Sequence, residues 1–388
     1  MAGVRQGHST VQQSRSRGLL VVVLLGIAAL ALSACGTNAT APTQSWSGPT
    51  VANGVVYVGT REGSVVALDA ANGFERQRFD AERGGRNATQ PAFYGSPTVH
   101  GDHVYAAGYQ GVVYQLDAVT MAQRRRFEIE GSDLSKGIAG APVVAGDKLV
   151  VAAAEDVEDG RLYILEAETM ALACRYPSAD PIRKVWSTPA VVDGIAYFGD
   201  LGGNVHAVRV DNCSSAWPAP AKLGGAVMAT PLVLNGKVYA GSFDRKFHEI
   251  DAANGQATEL FNAGSWFWAT PATDGTFIYA PTIDGVVRAW HIAERRVAWT
   301  YLANGDGIPI FAAPALAGNL LVLGMDARSV VVLDSATGAV TGTRRIGSDV
   351  RAPLASAGDV VYIHSLDNYV RAVQVPSLQL VWERKLES

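Results

Sequence analysis

One pattern recurs eight times along the sequence and limits the possible folds more than any other feature. A proline precedes an apolar, β-prone run, a turn containing Gly follows, and a second apolar run completes the pattern, as in S-T-P-A-V-V-D-G-I-A-Y-F-G, residues 187–199. The marker prolines are Pro49, Pro97, Pro142, Pro189, Pro231, Pro271, Pro314 and Pro353. Their spacing of 39 to 48 residues defines eight repeats of similar length.

Each repeat continues with a third and a fourth β-prone run. In the first repeat these are G-S-V-V-A-L-D, residues 63–69, and F-E-R-Q-R-F, residues 74–79, on either side of the turn A-A-N-G. Four short strands in about 40–45 residues are typical of a β-propeller blade. A proline fits the first residue of a strand, where its missing N–H breaks no ladder hydrogen bond. The sequence therefore predicts an all-β fold over residues 46–388, an eight-bladed β-propeller of four-stranded antiparallel blades.

The N-terminus predicts export. Three arginines precede an apolar run over residues 18–34, which is the pattern of a secretory signal peptide. Because the run has seventeen residues, the lower limit for crossing a bilayer, a transmembrane anchor is the alternative. The sequence L-S-A-C, ending at Cys35, resembles the lipobox of bacterial lipoproteins. By that resemblance, residues 1–34 are a lipoprotein signal peptide, Cys35 is acylated, and residues 35–45 are a linker from the lipid anchor to the propeller.

Charge argues against nucleic acid as a partner. The 388 residues carry 32 Lys and Arg against 36 Asp and Glu, a net charge of −4. Removal of the signal peptide takes away three of the arginines and no acidic residue, so the mature chain is more acidic still. Binding to phosphates requires clustered Lys and Arg. We therefore expect no nucleic-acid partner.

The third and fourth runs of the repeats resemble the PQQ-like repeat and its tryptophan-docking motif, roughly A-x-D-x-x-T-G-x-x-x-W. The segments A-L-D-A-A-N-G, E-I-D-A-A-N-G and V-L-D-S-A-T-G have the Asp and the Gly but lack the Trp. Conversely, Trp217, Trp299 and Trp382 stand at the docking-Trp position of other repeats. With a lipobox in front, the chain resembles the family of PQQ-like repeat lipoproteins to which BamB of the outer-membrane β-barrel assembly machinery belongs.

Two cysteines remain besides Cys35. From its place in the turn V-D-N-C, Cys213 could be a nucleophile, a metal ligand, a free thiol or half of a disulfide. The family resemblance resolves this, because it places Cys174 at the docking-Trp position of the third repeat and Cys213 at the Gly position of the fourth. In the family these two positions meet between neighbouring blades. The resemblance therefore implies a disulfide between Cys174 and Cys213, which an exported protein can keep.

The resemblance also implies a function. It predicts a protein-binding scaffold of the cell envelope whose partners are envelope proteins or nascent outer-membrane proteins. The lipid on Cys35 would hold it at the outer membrane of a diderm host, or otherwise at the outer face of the plasma membrane.

The alternative is a PQQ-dependent dehydrogenase, or another ligand-binding or enzymatic propeller outside the cytoplasm. Quinoprotein dehydrogenases with these repeats are usually much longer, and many have adjacent bridged cysteines, whereas no long insertion and no Cys-Cys pair occur in this sequence. We therefore expect a protein that is not an enzyme, with no catalytic residue, no metal site and neither PQQ nor Ca²⁺. His206 and His248 occupy equivalent third-strand positions, and we expect them to be packing or surface residues rather than zinc ligands.

Large aromatic residues recur three positions before the marker prolines. They are Trp46, Tyr94, Trp186, Trp268 and Phe311. One interpretation is a ring of aromatic side chains at one mouth of the central channel, which would suit a partner-binding face because aromatic residues are common at interface hot spots. The other is that they wedge between neighbouring blades as part of the core.

Overall fold

The computed structural model describes residues 47–82, 91–129, 137–156, 158–303 and 307–386. These residues form eight antiparallel sheets of four consecutive strands, and the third sheet has one additional short strand. The prediction of an all-β, eight-bladed propeller is confirmed. The predicted signal peptide, the linker with Cys35, and Trp46 lie outside the described residues. Within the described ranges no helix is long and apolar enough to span a membrane.

The first four blades follow one another along the chain. Blade 1 contains β1 (Thr50–Ala52), β2 (Val55–Gly59), β3 (Ser64–Asp69) and β4 (Glu75–Asp80); blade 2 contains β5 (Thr98–His100), β6 (His103–Ala107), β7 (Val112–Asp117) and β8 (Gln123–Glu128); blade 3 contains β9 (Val143–Ala145), β10 (Lys148–Ala154), β11 (Asp159–Glu166), β12 (Leu172–Tyr176) and the additional β13 (Ile182–Arg183); blade 4 contains β14 (Ala190–Val192), β15 (Ile195–Gly199), β16 (Asn204–Arg209) and β17 (Ala221–Lys222).

The last four blades have the same order. Blade 5 contains β18 (Leu232–Leu234), β19 (Lys237–Gly241), β20 (Lys246–Asp251) and β21 (Ala257–Asn262); blade 6 contains β22 (Ala272–Thr273), β23 (Phe277–Pro281), β24 (Val286–His291) and β25 (Arg296–Leu302); blade 7 contains β26 (Ala315–Ala317), β27 (Leu320–Met325), β28 (Ser329–Asp334) and β29 (Val340–Arg345); blade 8 contains β30 (Ala355–Ala357), β31 (Val360–His364), β32 (Tyr369–Gln374) and β33 (Gln379–Lys385).

The two middle strands of each blade supply the core. In blade 1, every residue of β2 and the first five of β3 are buried, whereas β4 is largely exposed. The buried residues fall into eight hydrophobic clusters, and each cluster takes its members from two adjacent blades, including blades 8 and 1. The near-continuous apolar runs of the middle strands therefore follow from burial on both faces of every sheet.

The turn between the third and fourth strands has a left-handed residue in all eight blades. These residues are Gly73, Met121, Met170, Cys213, Gly255, Arg295, Gly338 and Leu378, with φ between 53° and 79°. Only glycine adopts this conformation without a steric cost from Cβ. The five residues that are not glycine therefore carry a steric cost that glycine avoids.

The three predicted docking tryptophans lie against three of these glycines. Trp217 of blade 4 donates a hydrogen bond from Nε1 to the carbonyl oxygen of Ala252 in blade 5, at 2.9 Å. A Cβ on Gly255 would lie 2.8 Å from Cδ2 of Trp217, so the indole needs glycine beneath it. Trp299 docks on Gly338 of blade 7, and Trp382 docks on Gly73 of blade 1, with the same geometry.

At the joint between blades 7 and 8, the glycine lies in the strand and the large side chain lies in the turn. Gly342 stands at the docking-Trp position of blade 7, and a Cβ there would lie 2.6 Å from Cδ1 of Leu378, the left-handed residue of blade 8. Leu378 is 8% exposed, and Met121 and Met170, which occupy the same turn position, are 1% and 4% exposed. At these joints the side chain that fills the space comes from the turn rather than from the strand.

Blade 8 closes the ring against blade 1 through side chains. The indole of Trp382 and the hydroxyl of Tyr362 both donate hydrogen bonds to the carbonyl oxygen of Ala70, at 2.9 and 3.2 Å. Nδ1 of the buried His364 donates to the carbonyl oxygen of Ser47 at 2.9 Å. Burial lowers the pKa of His364, so the imidazole is neutral at this joint.

We expect Gly255→Ala to destabilise the protein more than Gly54→Ala. The two glycines have similar φ, 79° and 72°, so both alanines incur the cost of a left-handed residue, about 1–2 kcal/mol. Only the methyl group at position 255 also clashes, because it meets Trp217, whereas nothing lies within 4 Å at position 54. Urea unfolding should show an additional loss of about 1–3 kcal/mol for Gly255→Ala. Equal losses of unfolding free energy in the two variants would show that Trp217 does not limit the space above Gly255.

Candidate functional site

The candidate site lies on the face of the propeller formed by the loops between second and third strands and by the connections between blades. These two kinds of loop are joined by a repeated backbone hydrogen bond: Phe243 N–H donates to Ala226 O at 2.9 Å, and Ile283 N–H donates to Trp266 O at 3.1 Å. The first and third turns of each blade meet on the opposite face, where Ala70 N–H donates to Gly54 O at 3.0 Å. The tryptophan docks therefore lie on the face opposite the candidate site.

The structure places the predicted ring of aromatic residues in different surroundings. Tyr94 is buried, and its ring meets that of Tyr109 edge-on with a centroid distance of 5.2 Å. Trp186 is partly buried, and the ammonium group of Lys184 lies 5.5 Å from its ring centroid. Trp268 and Phe311, also partly buried, contact each other edge-on at 5.8 Å. Of the predicted set, Trp268 and Phe311 are thus brought together, while Tyr94 belongs to the packed interior.

Two further aromatic residues join Trp268 and Phe311. Phe243, in the loop between β19 and β20, stacks on Trp266 with a centroid distance of 5.0 Å and an interplanar angle of 6°, and it contacts Trp268 at 5.9 Å. All four rings are partly exposed. We call Phe243, Trp266, Trp268 and Phe311 the aromatic arc. It extends from the loop of blade 5 to the connection that precedes blade 7.

The alternation of S-W-F-W explains why two of its aromatic residues reach the surface. Phe267 is 1% exposed and packs against Phe247 and Phe261 in the cluster between blades 5 and 6. Its neighbours Trp266 and Trp268 are partly exposed. In an extended segment successive side chains point to opposite sides, so burial of Phe267 turns both tryptophans away from the core.

Arg351 extends the aromatic arc and was not part of the predicted set. Its guanidinium lies 5.1 Å from the ring centroid of Phe311, and it donates two hydrogen bonds to the carboxylate of Asp326, at 2.9 and 2.7 Å. Arg351 occupies the position equivalent to Phe311. The proline count missed it because Leu354, not Pro353, directly precedes the first strand of blade 8.

Phe243 was also missed. It belongs to a loop between second and third strands, and the recurrent spacing before the prolines does not reach these loops. A sequence signal exists, since Phe243 is a large aromatic residue in a turn of the form S-F-D-R, where small or polar residues are the norm. Its contact with Trp266 and Trp268 depends on how two adjacent blades meet, and no local pattern encodes that.

His206 and His248 are buried and bonded to carboxylates. Nε2 of His206 lies 2.8 Å from Oδ2 of Asp200, and Nε2 of His248 lies 2.9 Å from Oδ2 of Asp244. Burial alone would raise the pKa of Asp200, but hydrogen bonds from His206 and Asn204 outweigh it and hold that pKa below its usual range. Both pairs join a third strand to the loop before it, so they fix the loops that form the candidate face.

Cys174 and Cys213 form a disulfide between blades 3 and 4, with their Cα atoms 6.0 Å apart. Cys213 is the left-handed residue of its turn, and Cys174 stands opposite it at the docking-Trp position. The bond thus replaces a tryptophan dock and plays no part in the candidate face. Within the described residues, no group of three or more His, Cys, Asp or Glu side chains could hold a metal ion.

Eight four-stranded blades, with tryptophan docks at three of the joints between them, make this chain a PQQ-like repeat β-propeller. The family model described as outer membrane protein assembly factor BamB matches residues 31–169, 86–301 and 303–388. The chain therefore belongs to this family. No curated protein matches it by sequence.

Many solved structures share the fold, including the following three. The computationally designed protein Ika8 has a TM-score of 0.71 and 17% identity, with 86% of this chain and 97% of Ika8 covered. BamB from Moraxella catarrhalis has a TM-score of 0.69 and 17% identity, with 84% and 95% covered. Quinohemoprotein alcohol dehydrogenase from Comamonas testosteroni has a TM-score of 0.64 and 14% identity, with 89% and 76% covered. At these identities, the likeness establishes the fold alone.

We expect replacement of both Cys174 and Cys213 by serine to lower the unfolding free energy by about 3–4 kcal/mol, because the disulfide closes a long loop of the unfolded chain. The measurement is urea unfolding of a Cys35→Ser protein with and without the two further substitutions. Dithiothreitol should reduce the stability of the first protein to that of the second and leave the second unchanged. Two titratable thiols in the non-reduced protein would contradict the assignment.

We expect the contribution of Asp200 to stability to disappear in acid. Its folded-state pKa is lowered, so the stabilisation is complete above the unfolded-state pKa of about 4 and is lost as the pH falls through the folded-state pKa. Asp200→Asn should therefore cost about 1–3 kcal/mol at pH 7 and progressively less below about pH 4. Urea unfolding of both proteins between pH 7 and pH 3 measures this difference, with the exposed Asp193→Asn as the control. A pH-independent difference would contradict it.

Proposed function

We propose that the protein is a lipid-anchored scaffold of the bacterial cell envelope that binds other envelope proteins. Membership of the family described as outer membrane protein assembly factor BamB supports outer-membrane protein assembly as its setting in a host that has an outer membrane. The aromatic arc carries the proposal. Four partly exposed aromatic rings beside a paired arginine have the composition of an interface hot spot, in which aromatic residues and arginine predominate.

Binding would use a surface that is already rigid. The arc residues are held by backbone hydrogen bonds between loops and connections and by their own ring contacts, so docking would order few side chains. The lipid on Cys35 would keep the propeller near the membrane, and the partners would be envelope proteins or nascent outer-membrane proteins. No nucleic acid takes part in this role.

The proposal includes no enzymatic activity and no cofactor. A PQQ-dependent dehydrogenase remains the alternative, and structural likeness to a quinohemoprotein alcohol dehydrogenase at 14% identity does not favour it over a scaffold. Incubation of the purified protein with PQQ, Ca²⁺, an alcohol and a redox dye separates the two. Dye reduction that depends on PQQ and Ca²⁺ would favour the dehydrogenase.

We expect a photo-crosslinking amino acid at position 266 to capture an envelope protein in living cells, because Trp266 lies in the aromatic arc. The matched control places the same amino acid at position 119, where Val119 is 80% exposed in a turn of the opposite face. One dominant crosslinked envelope protein, identified by mass spectrometry at position 266 and weak at position 119, is the expected result. Cys35→Ser should move the protein from the membrane to the soluble fraction. Equal crosslinking at both positions would contradict a binding role for the arc.

A further inference from the structure

Two arginines near the aromatic arc occupy a backbone position where other blades have glycine. Arg245 lies in the loop between β19 and β20, Arg328 lies in the loop between β27 and β28, and their φ values are 73° and 53°. The equivalent left-handed position is glycine in blades 1, 2, 4 and 6, namely Gly63, Gly111, Gly203 and Gly285, and it is Asn368 in blade 8. Because a Cβ disfavours this conformation, backbone geometry gives no reason for arginine at either position.

The packing gives no reason either. Both arginines are exposed, and neither guanidinium has a hydrogen-bond or ion-pair partner among the residues that the structure describes. Arg328 contacts the carboxylate of Asp349 only through its backbone N–H, which donates to Oδ1 at 3.2 Å. Other basic side chains of this face are paired: Arg351 with Asp326, Arg371 with Asp367, and His248 with Asp244. Among the described residues, the two charges at the left-handed positions therefore have no partner, and they are available to a ligand.

The loops that carry the two arginines adjoin the two ends of the aromatic arc. Arg245 follows Phe243 by two residues in the same loop. At the other end, Phe311 contacts Arg351, Arg351 pairs with Asp326, and Arg328 follows Asp326 by two residues. In order from blade 5 to blade 7, the loops and connections of this face thus carry an unpaired arginine, the four aromatic rings, the Arg351–Asp326 ion pair and a second unpaired arginine.

We propose that the aromatic arc, with Arg245 and Arg328 in the adjoining loops, binds an extended acidic polypeptide segment whose apolar or aromatic side chains lie between carboxylates. This inference rests on the proposed scaffold function and names the partner's chemistry. Aromatic rings contribute contact area to apolar side chains at low entropic cost, and guanidinium groups bind carboxylates through paired hydrogen bonds. An extended chain can reach both ends of the arc at once.

Charge complementarity selects this occupant over two others. A second copy of this chain docking through the same face would bring a second pair of unpaired arginines to a surface that already has two, and like charges disfavour that contact. A neutral glycan could stack on the aromatic rings but offers no carboxylate to the arginines. A segment with acidic residues on both sides of an apolar centre satisfies both features of the surface.

The test uses the full chain, purified in detergent, and two fluorescent dodecapeptides with the same central Phe and Leu residues. One peptide has Glu at both ends and the other has Lys. We expect the Glu peptide to bind at least ten times more tightly by fluorescence anisotropy, with an affinity that falls as salt increases. The double variant Arg245→Gly and Arg328→Gly should lose this preference and keep or gain thermal stability, because glycine is the residue that the equivalent loops have.

Three further proteins complete the experiment. Arg245→Glu with Arg328→Glu should reverse the preference toward the Lys peptide, and Trp266→Ala with Trp268→Ala should weaken binding of both peptides. The control Arg175→Gln changes an exposed arginine in the outer strand of blade 3 and should bind as the wild type does. Equal binding of the two peptides, wild-type binding by the double glycine variant, tighter binding of a neutral chito-oligosaccharide, or self-association through this face would each overturn the inference.

If crosslinking at position 266 captures a partner that the arginine variants still bind normally, the scaffold function stands and the assigned chemistry is wrong. If the Glu peptide binds as expected but no partner is captured in cells, the scaffold function fails instead.

Discussion

Each blade must meet the next across a turn residue held in a left-handed conformation, and the space above that residue admits one large side chain. Where the preceding strand supplies Trp217, the turn has Gly255, and where the turn supplies Leu378, the strand has Gly342. The Cys174–Cys213 disulfide is a third solution at the same place. The pairing of one large residue with a glycine holds at the four joints that contain Trp217, Trp299, Trp382 or Leu378. At the joints of blades 1–2 and 2–3, by contrast, Gln77 and Arg125 stand at the docking-Trp position and the turn residue is a methionine.

The tryptophan docks lie on one face, so the loops of the other face do not have to supply them. The loops and connections of the candidate face are tied to each other mainly by backbone hydrogen bonds, such as that from Phe243 N–H to Ala226 O. Such bonds do not depend on side-chain identity. Trp266, Trp268 and Phe311 can therefore remain partly exposed without any loss of the contacts that close the ring. Function can differ between members of one fold because it resides in such side chains rather than in the fold.

The sequence predicts the propeller and its joints because short, periodic sequence patterns determine both. Proline spacing, strand alternation and the Asp-to-Gly turn are local, and the motif pairs Trp382 with a glycine of blade 1 regardless of their distance in the chain. The aromatic arc is different. Phe243 and Arg351 reach it only through contacts between blades, and the shift of Pro353 by one residue relative to its strand hides the equivalence of Arg351 with Phe311. Pattern counting locates elements, but it does not locate contacts that depend on the packing of neighbouring loops.

The same backbone constraint has opposite consequences on the two faces. Met121 and Met170 also adopt left-handed conformations, and burial of their side chains between blades offsets the steric cost. Arg245 and Arg328 incur the same cost with their side chains in solvent, where nothing in the described structure offsets it. A left-handed arginine has a steric cost, and at these two positions no side-chain contact within the fold compensates for it. A contact with a binding partner would explain why arginine stands there. This difference in compensation, rather than charge alone, separates these two arginines from the many surface arginines of the outer strands.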